Sequence, residues 1–80
     1  FNPSTTISYD LIGDSHVDIS IYNVMGQKVA TLVNDFKATG TYSVVWNATN
    51  SSGVDLPSGV YIMKLNTANQ SISNKLTLLR

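Results

Sequence analysis

The chain carries one histidine, His16, with Asp14 and Asp18 two residues to either side. On an extended strand alternate residues share a face, so these three groups suggest a weak cation site. Zinc asks for about four nitrogen or sulfur ligands, and the chain has no cysteine and no second histidine. A solvated histidine on a strand edge is expected instead, with no metal. Any Ser-His-Asp set would need His16 as its base, yet no G-x-S-x-G elbow places a serine on a strained turn. Ser58 stands before Gly59 and an alternating run, not between a strand and a helix. Glycoside chemistry needs two carboxyl groups in a cleft, one with a raised pKa. All five acids are aspartates in turn-like or outward positions, where water keeps them ionised. No glycine-rich phosphate loop leads into a helix. No residue is nominated as catalytic, and no cofactor is expected.

Two aromatic side chains raise a binding chemistry instead. Trp46 would make a sugar-stacking platform, but Tyr42 and Val44 share its face in "TYSVVW", which assigns it to the core. A buried indole then needs a partner for its N–H. Tyr22 is the better candidate for an exposed ring. The sequons Asn47-Ala48-Thr49, Asn50-Ser51-Ser52 and Asn69-Gln70-Ser71 match the glycan acceptor pattern. Asx-type turns account for Asn47 and Asn50 without a glycan.

Composition narrows the classes further. Eighty residues with no net charge and no disulfide make one small domain, 1–80, whose core rarely yields more than about 3–5 kcal/mol of net stability. No basic stripe exists to release counterions from nucleic acid, and no apolar run is long enough to span a bilayer. No signal peptide stands at the start. For an exported protein the address would lie in a preceding part or in this domain.

The elements that position these residues alternate with period two. Ile7, Tyr9 and Leu11 share one face, as do Val17, Ile19 and Ile21, then Tyr42, Val44 and Trp46, then Tyr61, Met63 and Leu65. The final run points Ile72, Leu76 and Leu78 one way and Lys75 and Thr77 the other. Turn residues punctuate them at Gly13, Asn23 with Gly26, Gly40, Asn47 to Gly53, and Asn69. About seven strands are expected, near 5–11, 16–22, 28–33, 41–46, 53–56, 59–66 and 71–79. Short strands at this spacing indicate an all-β, Ig-like sandwich of mostly antiparallel strands. The expected core includes Ile7, Tyr9, Ile19, Ile21, Val44, Trp46, Leu76 and Leu78. One segment disputes the pattern. Val29, Leu32, Val33 and Phe36 fall at helical spacing, and a bulge is needed to keep them in a strand.

"LPSGVYIMKL" carries the firmest punctuation. Pro57 cannot extend a central ladder, and Gly59 suits a sharp turn with positive φ. Tyr61, two residues on, is expected to bury its ring and return its hydroxyl to the turn backbone, as a tyrosine corner does. The turn then fixes the register of that strand against the last one. A slip of one residue would turn Leu76 and Leu78 outward and Lys75 inward.

In order, "NPSTTISYDL", "VDISIYNVMGQKVATLV", "GTYSVVWNATNSSGVDLPSGVYIMKL" and "NKLTLLR" resemble the C-terminal sorting domain (type A) of the type IX secretion system of Bacteroidota. The resemblance covers essentially the whole chain. Its middle-to-late part is also similar to the Ig-like domain of flagellar hook-capping proteins. The resemblance implies a folded export signal that ends a larger cargo protein lying N-terminal to residue 1. Cargo and signal would cross the periplasm and be read by the outer-membrane type IX translocon and its shuttle components. In systems that cut the signal, a sortase-like cysteine protease acts at or before Phe1 and joins the cargo to the cell surface. The family's Asn-Pro motif falls on Asn2 and Pro3, its Gly-x-Tyr motif on Gly59, Val60 and Tyr61, and its final basic motif on Lys75 and Arg80. Where the family often has Trp-Asp-Gly, this chain has Trp46-Asn47-Ala48, so that loop is expected to differ.

These readings make Lys75 and Arg80 charged contacts on a displayed tail, with main-chain pairing at a sheet edge supplying affinity. Removing Arg80 is expected to leave melting nearly unchanged while impairing export. The rival is a carbohydrate-binding or spacer sandwich appended to an extracellular enzyme.

Overall fold

The computed structural model describes residues 1–80. It is all-β, an Ig-like sandwich of six strands: β1 Thr5–Leu11, β2 Ser15–Asn23, β3 Lys28–Lys37, β4 Gly40–Trp46, β5 Gly59–Asn66 and β6 Ser71–Leu78. β1 and β4 form a two-stranded sheet, and the other four strands make a sheet in the order β3-β2-β5-β6. Every pairing is antiparallel. The two sheets bury their alternating apolar faces on each other, as period-two side chains require.

Val17, Ile19 and Ile21 from β2 are fully buried, and Tyr61, Met63 and Leu65 from β5 lie beside them. Ile7, Leu11 and Trp46 close the core from the smaller sheet, and Leu78 closes it from β6. Tyr9, Val44 and Leu76 are half-buried at its margin. Ile72, expected to face inward with them, remains 42% exposed. It lies on an edge strand where the smaller sheet does not reach.

Further expectations are corrected. The segment 53–56 is not a seventh strand, since it makes only an isolated bridge between Thr49 and Asp55. The Asn50 carboxamide oxygen accepts the N–H groups of Ser52 and Val54, which closes an Asx-type turn and curls the chain away from a ladder. Asn47 does not make that turn. The third strand runs on to Lys37 rather than stopping at Val33. Its register against β2 skips Leu32, between Val33↔Ile19 and Thr31↔Ser20, and skips Val29, between Ala30↔Ile21 and Lys28↔Tyr22. Two bulges therefore sit where the apolar spacing looked helical, because each inserts one residue and changes the local period. Val29, Leu32 and Val33 pack against the core, whereas Phe36 is exposed.

The turns follow their local chemistry. At the β2–β3 turn, Gly26 takes φ 82° and the Asn23 side chain accepts the N–H groups of Met25 and Gln27. At the β5–β6 turn, the Thr67 hydroxyl accepts the N–H groups of Asn69 and Gln70. That hairpin pairs Tyr61 with Leu76 and Ile62 with Lys75, as the sequence pattern requires.

Candidate recognition surface

Residues of the Gly-x-Tyr motif and both ends of the chain meet at one pole. Gly59 has φ 154° and no heavy atom within 4 Å of an added Cβ. The glycine therefore serves backbone conformation, not space. The Tyr61 hydroxyl donates to the Pro57 carbonyl at 2.7 Å, and its ring stands edge-on to Trp46 at 5.6 Å. Val60, between them, pairs with Thr77 and is half-buried. Phe1 packs on the other side of the indole, also at 5.6 Å. The indole N–H donates to the Thr49 carbonyl at 2.9 Å, which answers the expected need for a partner.

Arg80 locks this pole. Its Nε donates to the Leu56 carbonyl at 2.5 Å and its terminal nitrogen to the Ala48 carbonyl at 2.7 Å. The backbone N–H of Arg80 donates to the Ser58 hydroxyl, and Asp55 lies 3.7 Å from the guanidinium. The guanidinium thus bridges two carbonyls of the loop, one of which, at Ala48, also accepts the Leu56 N–H. This placement revises the expectation that melting ignores the loss of Arg80. Opposite it, the Phe1 amino group donates to Thr77 and the Phe1 carbonyl accepts from Leu79. Asn2 and Pro3, joined by a cis peptide bond, carry the chain from that tie into β1. Ala48 stands at φ 59°, at the position where the resembled motif has glycine, and its side chain is fully buried.

A signal in the sequence was missed. Gly40-Thr41-Tyr42 repeats the Gly-x-Tyr pattern at the start of β4, and Gly40 has φ 158°. The Tyr42 hydroxyl donates to Ala38 at 2.6 Å, four residues back, as Tyr61 does to Pro57. Matching "GTY" to "GVY" would have found this second corner.

The groups that suggested chemistry do not converge. Asp14, His16 and Asp18 line a shallow hollow of about 420 Å³, but each bonds a different neighbour. Asp14 accepts from Thr39, Asp18 accepts from Ser20, and His16 shares a hydrogen bond with Asn34. No group of three His, Cys, Asp or Glu side chains is placed to hold a metal. The Ser15 hydroxyl, buried, donates to the His16 carbonyl rather than to its ring. Trp46 is 2% exposed and cannot stack a sugar.

Two surfaces remain open. One is the seam where the smaller sheet ends at β1 and the larger at β6, strands that do not pair. It holds about 440 Å³, with Ile7, Tyr9, Met63, Leu65, Ile72 and Leu76 among its lining residues. The other is the outer face of the four-stranded sheet, where Lys75 stands. No helix is long and apolar enough to cross a membrane.

A two-layer, all-antiparallel β module of this topology belongs to the class of Ig-like sandwich domains. More narrowly, the chain belongs to the FlgD Ig-like domain family, whose model matches residues 3–71. Among solved structures it is similar to FLGD from P. aeruginosa, with TM-score 0.69 and 25% identity. That match covers 92% of this chain and 58% of the other, so the domain spans little more than half of that protein. No curated protein matches the chain.

Proposed function

We propose that this Ig-like module is the C-terminal sorting signal of a type IX secretion cargo, a non-catalytic address read by other proteins. It carries an attached N-terminal cargo through the periplasm and across the outer membrane to the cell surface or medium. Its partners are the translocon and shuttle components, with a sortase-like cysteine protease in systems that remove the signal.

The order of the motifs along the chain supports this reading, and one structural observation carries it. β6 is paired with β5 along its whole length, its other edge is unpaired, and the residues after it are pinned through Arg80. A tail held in one register presents a fixed row of backbone groups, which suits recognition by strand addition. A loose tail would lose conformational entropy on every encounter.

Fusion of residues 1–80 to a periplasmic reporter tests the proposal in a host with the secretion system. The expected result is reporter outside the cell, lost when the system is deleted. Retention of a folded fusion in the periplasm would overturn it. A spacer role is the second reading, favoured by the FLGD match, in which the module is part of a longer chain. A spacer would leave the reporter in the periplasm in both hosts.

A further inference from the structure

The chain has no net charge, yet its charges are segregated. Side chains opposite the core face of the larger sheet include Asp18, Ser20 and Tyr22 from β2, Ile62 and Lys64 from β5, and Lys75 from β6, by strand alternation. The pairings Lys28↔Tyr22, Tyr22↔Ile62 and Ile62↔Lys75 set these four residues in one row across all four strands. Lys64, in the next row, reaches over the Tyr22 ring at 4.7 Å, with Lys28 at 6.0 Å on the same ring. Three of the four lysines therefore surround one aromatic–aliphatic pair. Asp18 is the acid nearest them in register, two rows from the Lys28–Lys75 row and one beyond Lys64, and it is bonded to Ser20. Asp10 bonds Thr41 on the smaller sheet, Asp14 bonds Thr39, and Asp55 faces Arg80. Asp35 lies near enough to Tyr9 to act on its phenol, across the sandwich from the lysines. The three lysines make no salt bridge.

We propose that this face docks an extended acidic segment of a partner protein lying across the strands. The inference rests on the reading of the domain as a protein-recognised address and names the partner's chemistry. Three strand spacings separate Lys28 from Lys75, about 14 Å at ~4.8 Å each. In an extended peptide, residues i, i+2 and i+4 share a face, and i to i+4 spans about 13 Å. Acidic residues at i and i+4 thus meet the two outer lysines, while an apolar residue at i+2 rests on Tyr22 and Ile62. Lys64 supplies a third cation beside that central position. Charge of opposite sign steers such a segment onto the face and fixes its register.

The test uses the 80-residue protein and a capped peptide, Glu-Ser-Phe-Ser-Glu, followed by amide chemical shifts. The expected result is saturable shifts at Tyr22, Ile62, Lys64 and Lys75, weakened at least threefold by 0.5 M salt. A peptide with its acids at i and i+3, and the double variant Lys28→Gln/Lys75→Gln, should each bind at least threefold more weakly. Unchanged spectra of the variant outside the face establish that it is folded. Absence of shifts on this face, equal binding by both peptides, or stronger binding to anionic lipid vesicles than to the peptide would each overturn the proposal. Export of the reporter fusion is scored separately, so a failed address and a failed docking face are told apart.

Discussion

The two Gly-x-Tyr corners are built alike and placed differently. Each begins a strand with a glycine at strongly positive φ, 158° and 154°, and each returns a tyrosine hydroxyl to a carbonyl four residues back. Tyr61 is 5% exposed, edge-on to Trp46 and beside the Arg80 lock. Tyr42 is half-buried, stacked on Tyr9 at 5.5 Å with the Lys37 ammonium 5.0 Å from its ring. The same local chemistry therefore closes the core at one end and decorates its margin at the other. The energetic weight of a motif comes from what packs around it.

Truncation should show the largest contrast. Tyr61→Ala removes a buried aromatic ring, a loss of about 3–4 kcal/mol, comparable to the whole margin of a domain this size. Tyr42→Ala should cost about 1–2 kcal/mol, because its site is half-open to water. Urea titrations followed by circular dichroism compare the two. Equal losses would break the distinction.

The glycines come next. Gly59→Val should cost about 1–3 kcal/mol from the strained backbone alone, since no atom lies within 4 Å of an added Cβ. Gly40→Val meets the same backbone strain at φ 158° and sets its Cβ 3.7 Å from the Tyr42 ring, so it should cost at least as much. A clearly smaller loss at Gly40 would show that the two turns are not equally strained.

Arg80 supports only the Tyr61 corner. Arg80→Gln should lower stability by about 1 kcal/mol, from the lost bonds to the Leu56 and Ala48 carbonyls. The ion pair adds little, with Asp55 77% exposed. A melting temperature unchanged within error would show that the guanidinium does not hold this loop in solution. Hydrogen exchange at Leu56 and Arg80 would sharpen the point by reporting opening of that pole alone.

The smallest effect belongs to the margin. Burial, with Tyr42 and Asp35 adding, raises the Tyr9 phenol above its ordinary value. The folded state therefore holds that proton more tightly. Its contribution is intact below pH of about 10 and fades as pH rises through the folded value. Stability should be flat near neutrality and decline slightly above pH 10, and Tyr9→Phe should remove that part of the decline. An identical alkaline profile in the variant would assign the loss elsewhere.

Strand legibility tracked how strictly the side chains alternated. β1, β2, β4 and β5 were readable because each keeps a clean period of two over one buried face. β3 was legible as a strand with a bulge but only as far as Val33, because its irregularities at Val29 and Leu32 break that period. The loop before Pro57 looked like a strand although its Asx turn at Asn50 was legible, because nothing local reveals that Arg80, 24 residues away, takes the Leu56 carbonyl. The Pro57–Gly59–Tyr61 corner was legible from three residues alone, and its duplicate at Tyr42 carried the same signal.

Sequence by itself determined a two-layer β domain and the pairing of its last two strands, because alternation and turn chemistry are local properties. Tertiary structure alone decided that Arg80 closes a loop, that both ends meet around Trp46, and that three lysines share one face. Those outcomes depend on long-range register and on how the chain ends pack once the sheets form.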